Sequence, residues 1–230
     1  MDFSGTEWLA FEAGIKPAVR AMLRPEEADD FEARVRARGW GLSTTAGTFW
    51  SQEPRVIAYV ARGDAEAEAI REAEAPTLPG IGADPTRRDD PAAYALVGEL
   101  LGYPSCCARS YAARLAVGAR TRLNGQSAEE DFCMAEKAAR DSRRFLGRLN
   151  DLLGADEPRL IPFYPCRYDC EAAAAYAGAV LEEIARRSGG DGERWRGALC
   201  ARRGIGVSGA RYPGGGQPAE EVLWIDFKEL

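Results

Sequence analysis

The pattern of apolar and polar positions in the first third of the chain predicts two consecutive helices. The first is predicted over roughly residues 6–23. Pro25 opens the second helix and Gly39 closes it. Acidic side chains lie near the start of this second helix and arginines near its end, an order that the helix dipole favours. The first part of the sequence is therefore expected to form two helices.

The apolar stretches that follow are short and fit strands. Residues 56–61, VIAYVA, have the unbroken apolar run of a buried strand, and 40–45 form a second β-like piece. Asp64 is predicted to cap an alanine- and glutamate-rich helix over about 65–74. Together with the first two helices, these elements predict a small α/β part over residues 1–75.

A break in this pattern separates the α/β part from a helical middle. The stretch 76–90 is rich in proline, glycine and charged residues, which predicts a linker or a long surface loop. Asp90 and Pro91 form an N-cap and first-turn pair. A helix is therefore expected over about 91–101, and Gly102 is expected to stop it.

Two further helices are predicted in the middle of the chain. Ser105 is expected to be the N-cap of a helix over about 105–117. Ser127 and Glu130 form a capping box, which would begin a long helix that ends at Leu153. The apolar stripe of this long helix has spacings of three and four and consists of Leu146, Leu149 and Leu153.

The last part of the chain is predicted to return to strands after one more helix. Residues 158–165 fit an extended segment, and Asp169 is expected to cap a helix over about 170–187. Two β-like runs, 204–212 and 221–227, are separated by a loop of glycine and proline. This arrangement predicts a C-terminal β-hairpin.

Taken together, these elements predict an α+β fold in a single domain, residues 1–230. The α/β part is followed by the loop over 76–90, a helical and cysteine-bearing core over 91–190, and terminal strands over 191–230. The cysteine-bearing core is where candidate chemistry lies.

The amino-acid composition predicts a soluble globular protein. The chain is 46% hydrophobic and 29% charged, which is typical of soluble globular proteins. No apolar run approaches the roughly 18 residues of a membrane span. The first residues lack the basic and apolar regions of a secretory signal. The expected location is the cytoplasm, without a membrane partner, and in that compartment cysteines stay reduced.

The net charge and the residue types present limit which partners and which metal ligands are expected. A net charge of −6 argues against nucleic acid as a partner. The chain contains no histidine, so it lacks the commonest general base and the commonest nitrogen ligand for metals. Any bound metal must therefore be held by thiolates, carboxylates or backbone groups.

Two short stretches combine tyrosine, proline and cysteine. Residues 102–107 read GYPSCC and residues 163–170 read FYPCRYDC, and each leads into a predicted helix. A helix N-terminus favours thiolates, so two such ends would stabilise an anionic metal–thiolate centre. The predicted metal ligands are Cys106, Cys107, Cys166 and Cys170.

The residues leave the kind of centre open. Adjacent cysteines on a helix point about 100° apart, which slightly favours an iron–sulfur cluster over a single Zn²⁺. If only one of Cys106 and Cys107 binds, three thiolates leave a position open for a reaction. The alternatives are a structural zinc site that fastens two helices, a metal-free dithiol redox protein, and simple packing of buried thiols.

A catalytic centre of this kind would act on a small molecule. The expected classes are electron transfer and Lewis-acid chemistry on a sulfur- or carboxylate-bearing substrate. Side chains beside the cysteines could donate hydrogen bonds to sulfur or bind an anionic substrate, while ring packing and solvated surface charge are the simpler interpretations. These candidate substrate-binding residues are Tyr103, Arg109, Tyr164, Arg167 and Tyr168.

The cysteine motifs also carry a resemblance. GELLGYPSCC, with PCRYDC further along the chain, resembles the LGYP-x-CC and PC-x3-C motifs of an uncharacterised archaeal and bacterial domain-of-unknown-function family. The resemblance covers roughly residues 55–190 and implies that the two motifs act as one unit. Relatives often have a histidine just before the second proline, where this chain has Tyr164. If that histidine is a ligand or an acid–base group in the relatives, Tyr164 is not expected to take the same role in this chain.

Overall fold

The structure of the protein is a computed structural model. It describes residues 5–48, 53–78, 90–119, 134–135, 137–139, 141–151, 159–188, 203–206 and 222–225. Within these residues, helices accompany an antiparallel sheet, which confirms the mixed α+β class. The chain divides into two compact units, residues 1–112 and 113–230. The organisation as a single domain over 1–230 stays a prediction.

The first unit contains most of the regular elements. Its helices are α1 (Thr6–Glu12), α2 (Ala28–Arg36), α3 (Asp64–Glu74), α4 (Pro91–Leu100) and the start of α5 (Ser105–Ala119). Its strands are β1 (Ala18–Leu23), β2 (Gly41–Gly47) and β3 (Arg55–Ala61). Short 3₁₀ turns precede α2 at Pro25–Glu27 and follow α3 at Ala75–Thr77. Residues 79–89 of the predicted loop lie outside the described residues.

The sheet is built around β3. This strand pairs antiparallel with β1 on one side and β2 on the other, so that Ala61 lies opposite both Ala18 and Gly41. All residues of β3 from Ile57 onwards are buried. The buried strand predicted from VIAYVA is therefore confirmed, and so is the β-like piece before it.

The core lies on both faces of the sheet, because successive side chains of a strand point to opposite sides. Ala58 and Val60 join a cluster of aromatic residues that includes Trp8, Phe11 and Phe31. Ile57 and Tyr59 join a second cluster with residues from α3 and α4, among them Ile70 and Val97. A central strand with packing on both faces requires an unbroken apolar run, which is what this segment has.

The prediction of one helix over 6–23 is wrong in its second half. α1 ends at Glu12, and Gly14 has a φ of +76°, the left-handed conformation common just past helix ends. Pro17 follows, which cannot donate a backbone hydrogen bond, and β1 begins at the next residue. Pairing with β3, a partner far along the chain, turns this segment into a strand.

Asp64 does not cap α3 as predicted. It is the first residue of the helix, and Gly63 occupies the N-cap position. Its Oδ1 accepts a hydrogen bond of 2.9 Å from the backbone N–H of Leu42 and pairs with Arg36. These two partners hold the pKa of Asp64 below its usual range. Asp64 therefore ties α3 to β2.

α4 has the predicted signals at both ends. Oδ1 of Asp90 accepts a hydrogen bond of 2.8 Å from the N–H of Ala92, and Gly102 ends the helical run with a φ of +83°. A Cβ on Gly102 would lie 2.3 Å from Cδ of Pro17. The glycine is therefore needed both for its backbone conformation and for this close approach. The turn leads directly into the first cysteine motif.

The described part of the second unit is mainly helical. It contains helical residues within 134–141, a 3₁₀ turn at Gly147–Leu149 and the helix α6 (Glu171–Ser188). Strand β4 (Arg203–Gly206) pairs antiparallel with β5 (Val222–Ile225). The segment between these strands lies outside the described residues, so the hairpin connection stays a prediction. None of the helices that the structure describes has the length and apolar character needed to cross a membrane.

The long helix predicted to end at Leu153 is wrong at its C-terminal end. Helical residues extend only to 141, and 142–151 contain no regular element beyond the 3₁₀ turn. The predicted capping box lies outside the described residues. The backbone N–H of Leu146 donates to the carbonyl of Tyr168 at 2.9 Å. A distant partner thus replaces the helical hydrogen bond that the spacing of the leucines predicts.

Candidate metal centre

The first pair of cysteines lies at the start of α5. The carbonyl of Pro104 accepts hydrogen bonds from the N–H of Cys107 at 2.8 Å and of Ala108 at 3.0 Å. Pro104 therefore occupies the N-cap position. Ser105, which was expected there, is the first helical residue. Cys106 and Cys107 lie in the first helical turn, as predicted.

The second pair of cysteines surrounds a turn before α6. The N–H of Cys170 donates to the carbonyl of Arg167 at 3.2 Å, and the carbonyl of Cys170 accepts from the N–H of Ala174 at 2.9 Å. Cys170 thus takes the capping position expected for Asp169. The carboxylate of Asp169 instead accepts a hydrogen bond of 3.1 Å from the backbone N–H of Arg143. Both cysteine motifs therefore meet a helix N-terminus.

The structure brings the four predicted cysteines together. Their Sγ atoms all lie within 4.8 Å of one another, and those of Cys106 and Cys107 are 3.9 Å apart. None of the four is in a disulfide bond. Cys107 and Cys170 are buried, Cys166 is half-buried and Cys106 is exposed. The cluster is compatible with a cysteine-ligated metal site that is exposed to water at Cys106.

The separation of the adjacent sulfurs suits a shared ion. Thiolates at about 2.3 Å from a tetrahedral Zn²⁺ stand ~3.8 Å from one another. The 3.9 Å between Sγ of Cys106 and Sγ of Cys107 is close to that value. Their Cα–Cβ bonds leave the helix about 100° apart, yet the two sulfurs lie this close together. The angle is thus no obstacle to binding one ion.

Arg114 links α5 to the second cysteine motif. Its Nη2 donates to the carbonyl of Cys166 at 2.9 Å, and its Nη1 donates to the carbonyl of Met134 at 2.9 Å. Burial lowers the pKa of Arg114, and nearby negative groups, Asp141 foremost, partly offset this. An arginine stays charged at neutral pH even so. A half-buried cation therefore lies beside the motif.

Tyr168 lies between Cys166 and Cys170 and is buried. Its phenolic O–H donates to Oδ1 of Asp151 at 2.6 Å, and its backbone N–H donates to Oγ of Ser142 at 2.7 Å. Burial, together with the charge of Asp151, raises the pKa of Tyr168. The phenol is therefore neutral at physiological pH, and the residue holds the cysteine loop through both its backbone and its side chain.

The other residues predicted to face a substrate are at least partly accessible. Arg109 is exposed and lies three residues after the exposed Cys106, so the two share one edge of α5. Arg167 is also exposed, and Tyr103 and Tyr164 are half-buried. Of the five candidates, the two arginines are therefore the most exposed.

Several residues that support the cysteine loop or pack beside it belong to no sequence motif, so the sequence alone did not predict them. Asp151 and Ser142 reach the cysteine loop only through the folded chain. Lys16 is buried, pairs with Glu7, and has its Nζ 5.1 Å from the ring centroid of Tyr103. Burial lowers the pKa of Lys16, and Glu7 partly offsets this. Only Arg114 has a signal in the sequence, because it lies two helical turns after Cys107.

Comparison of the chain with protein-family models, with curated proteins and with solved structures gave no match. The resemblance of GELLGYPSCC and PCRYDC to an uncharacterised family therefore stays a prediction. The fold and the site define an α+β protein whose four clustered cysteines are compatible with a bound metal.

Proposed function

We propose that the protein binds a metal centre through Cys106, Cys107, Cys166 and Cys170. The observation that carries this proposal is the convergence of four cysteine Sγ atoms, none of them in a disulfide, to within 4.8 Å of one another. Four thiolates this close repel each other unless a cation lies between them. Two helix N-termini favour negative charge at this place as well. A thiolate-bound cation accounts for both features.

The proposed occupant is a single tetrahedral ion, with Zn²⁺ as the first choice. Its support is the short separation of the sulfurs, since the thiolates of an iron–sulfur cluster bind different irons and stand further apart than around one ion. Zn²⁺ commonly takes four thiolates in closed structural sites. The iron–sulfur cluster predicted from the sequence is the second candidate, because two helices that begin at the cysteines suit an anionic cluster.

The deciding experiment is metal and acid-labile sulfide analysis of protein purified without oxygen, together with a visible spectrum. Zinc at one ion per chain, without colour, supports the first choice. Iron with sulfide and a brown colour would assign the same cysteines to a cluster. A folded protein that holds neither metal, even after incubation with Zn²⁺ and a reductant, would overturn the metal centre altogether.

Cysteine variants connect the metal to this site. Cys170→Ser is expected to lose the metal, because a buried thiolate is removed from the centre. Cys200→Ser lies outside both motifs and serves as the matched control, with metal content equal to that of the wild type. Full metal content in the Cys170→Ser protein would argue against these ligands.

A catalytic role is a further proposal, supported by the exposure of Cys106. A small thiol or carboxylate could approach the centre along that edge, where Arg109 supplies positive charge. Contacts from Tyr103, Tyr164 and Arg167 are proposed with it, while Tyr168 is engaged inside the loop. Calorimetric titration of the metal-loaded protein with a small anionic thiol tests this idea. Saturable binding that Arg109→Met weakens is the expected result.

Two alternatives make different predictions. The first alternative is a structural zinc site, which is favoured by the number of hydrogen bonds that hold the cysteine loop. It predicts that the zinc-loaded protein does not bind a small anionic thiol. A metal-free dithiol protein is compatible with four clustered cysteines that form no disulfide. It predicts no metal at any stage and a disulfide after mild oxidation. Metal content and thiol titration together distinguish the three functions.

The proposed setting is the cytoplasm, without nucleic acid as a partner. Clustered cysteines that form no disulfide suit a reducing compartment. The net charge of −6 disfavours binding to a phosphate backbone. A small molecule is therefore the partner that the site suits best.

A further inference from the structure

Arg114 occupies a place where a charged side chain is costly. Its guanidinium is half-buried, and its Nε is buried without a hydrogen-bond partner among the described residues. Desolvation of a cation and of an unsatisfied N–H both oppose folding. A neutral or apolar residue at this position would avoid that cost. The position therefore requires a compensating interaction.

The carboxylates near Arg114 are already engaged by other groups. Oδ2 of Asp141 accepts a hydrogen bond of 2.7 Å from Nζ of Lys137. Oδ1 of Asp151 accepts the phenolic hydrogen of Tyr168 at 2.6 Å. Each of these carboxylates also attracts the guanidinium electrostatically. The thiolate of Cys166 is a further negative group close to the guanidinium.

The contacts of Arg114 are made to a ligand residue. Nη2 donates to the backbone carbonyl of Cys166 at 2.9 Å, which restrains the orientation of that residue. Nη1 donates to the carbonyl of Met134 at 2.9 Å, so the guanidinium is held from a second side. Four thiolates around a divalent ion leave a surplus of negative charge, which a fixed cation nearby stabilises.

We propose that Arg114 is a positioning residue of the metal centre: it orients Cys166 through its carbonyl, and its charge stabilises the thiolate-bound ion. This inference rests on the proposed metal-binding function. Groups that orient metal ligands from outside typically change metal affinity by about 10- to 100-fold when they are mutated. Arg114 is expected to act within that range.

The test compares Zn²⁺ affinity, measured by competition with a chromogenic chelator, in the wild type, Arg114→Gln, Arg114→Lys and Arg186→Met. Gln keeps a donor for the Cys166 carbonyl but has no charge. Lys keeps the charge but not the paired donors. Arg186 is exposed on α6, where it pairs with Glu183, and its variant controls for the loss of one surface arginine.

Arg114→Gln is expected to bind Zn²⁺ about 10- to 100-fold more weakly than the wild type, with Arg114→Lys between them and Arg186→Met unchanged. The rise in Tm on adding Zn²⁺ should also be smaller in Arg114→Gln. A purely structural role would lower the Tm of the metal-free and loaded proteins equally and leave the affinity unchanged, which would overturn the inference.

Two outcomes keep this inference separate from the function on which it rests. If the wild type binds no metal, the proposed function fails. If the wild type binds Zn²⁺ and Arg114→Gln binds it equally well, only the role of Arg114 fails. Should the Gln variant not fold, Arg114→Lys decides, since an affinity equal to that of the wild type would refute the orienting contact.

Discussion

The hydroxyl of Tyr168 donates a hydrogen bond of 2.6 Å to Oδ1 of Asp151 inside the protein. This bond ties Tyr168, which lies between two clustered cysteines, to a residue 17 positions earlier in the chain. Both residues are buried, so the bond is sheltered from water. The position of the second cysteine motif therefore depends on a contact outside the motif.

Tyr168→Phe is expected to lower the free energy of unfolding by about 1–3 kcal/mol, because it removes a donor from a buried carboxylate. Denaturant unfolding measures this change. Asp151→Asn, which keeps an acceptor for the phenol, should cost less. Equal stability of the wild type and Tyr168→Phe would show that the hydrogen bond does not support the loop.

Cys106→Ser and Cys107→Ser are expected to differ in metal binding. The thiol of Cys106 is exposed, so water can take its place, whereas that of Cys107 is buried. Cys106→Ser should keep the metal at reduced affinity, and Cys107→Ser should lose it at the same Zn²⁺ concentration. Chelator competition provides the comparison. Equal loss in both variants would mean that exposure does not rank the ligands.

Removal of the metal is expected to destabilise the protein. A ligand at 100 times its Kd stabilises the folded state by about 2.7 kcal/mol, provided that it does not bind the unfolded chain. Unfolding at that Zn²⁺ concentration, with and without excess chelator, should show a difference of this size. The Cys170→Ser protein is the control, and its stability should not respond to chelator.

Gly102→Ala and Gly178→Ala are expected to change stability in opposite directions. Gly102 has a φ of +83° and closely approaches Pro17, so alanine there should cost more than about 1 kcal/mol. Gly178 lies within α6 with nothing within 4 Å of an added Cβ. Alanine at Gly178 should stabilise the helix by about 0.5–1 kcal/mol. Thermal unfolding of both variants checks the pair.

Glu68 provides a pH-dependent contact between α3 and β2. Nε of Arg71 and the hydroxyl of Ser43 donate to its carboxylate at 2.9 and 2.6 Å, and they lower the pKa of Glu68 to about 2. The folded protein thus binds this proton less readily than the unfolded chain. The contribution to stability is complete above about pH 4.3 and is lost as the pH falls towards 2.

An NMR titration of Glu68 tests this contact directly. Arg71→Met is expected to return the pKa of Glu68 towards its ordinary value, and Ser43→Ala should raise it by a smaller amount. The side chain of Glu68 is 44% exposed, so screening by water should keep the effect on overall stability modest. A pKa that is the same in Arg71→Met and the wild type would contradict the assigned cause.

Local signals predicted several elements correctly. The helix that begins at Pro91 and stops at Gly102 was predicted, because the cap and the glycine act on neighbouring residues only. The buried strand over 56–61 was predicted from its unbroken apolar run. The cysteines of the first motif were predicted in the first turn of a helix, since Pro104 restricts the backbone at that point.

Distant pairing decided the elements that were predicted wrongly. Residues 18–23 form a strand because β3 offers hydrogen-bond partners there, and no periodicity within the segment reports a partner elsewhere in the chain. The helix expected to reach Leu153 ends early because Leu146 bonds to the carbonyl of Tyr168. Both errors extended a local helical pattern past the point where a tertiary contact takes over.

The candidate site divides in the same way. The sequence predicts which cysteines belong to the site and that each pair lies at a helix N-terminus. Both predictions follow from short motifs whose residues are neighbours in the chain. Other properties of the site exist only in the folded chain. The four Sγ atoms lie within 4.8 Å of one another, and Cys106 is the exposed one of the four. Arg114 and Asp151 hold the cysteine loop. Such contacts join residues far apart in sequence, and their geometry exists only once the chain has folded.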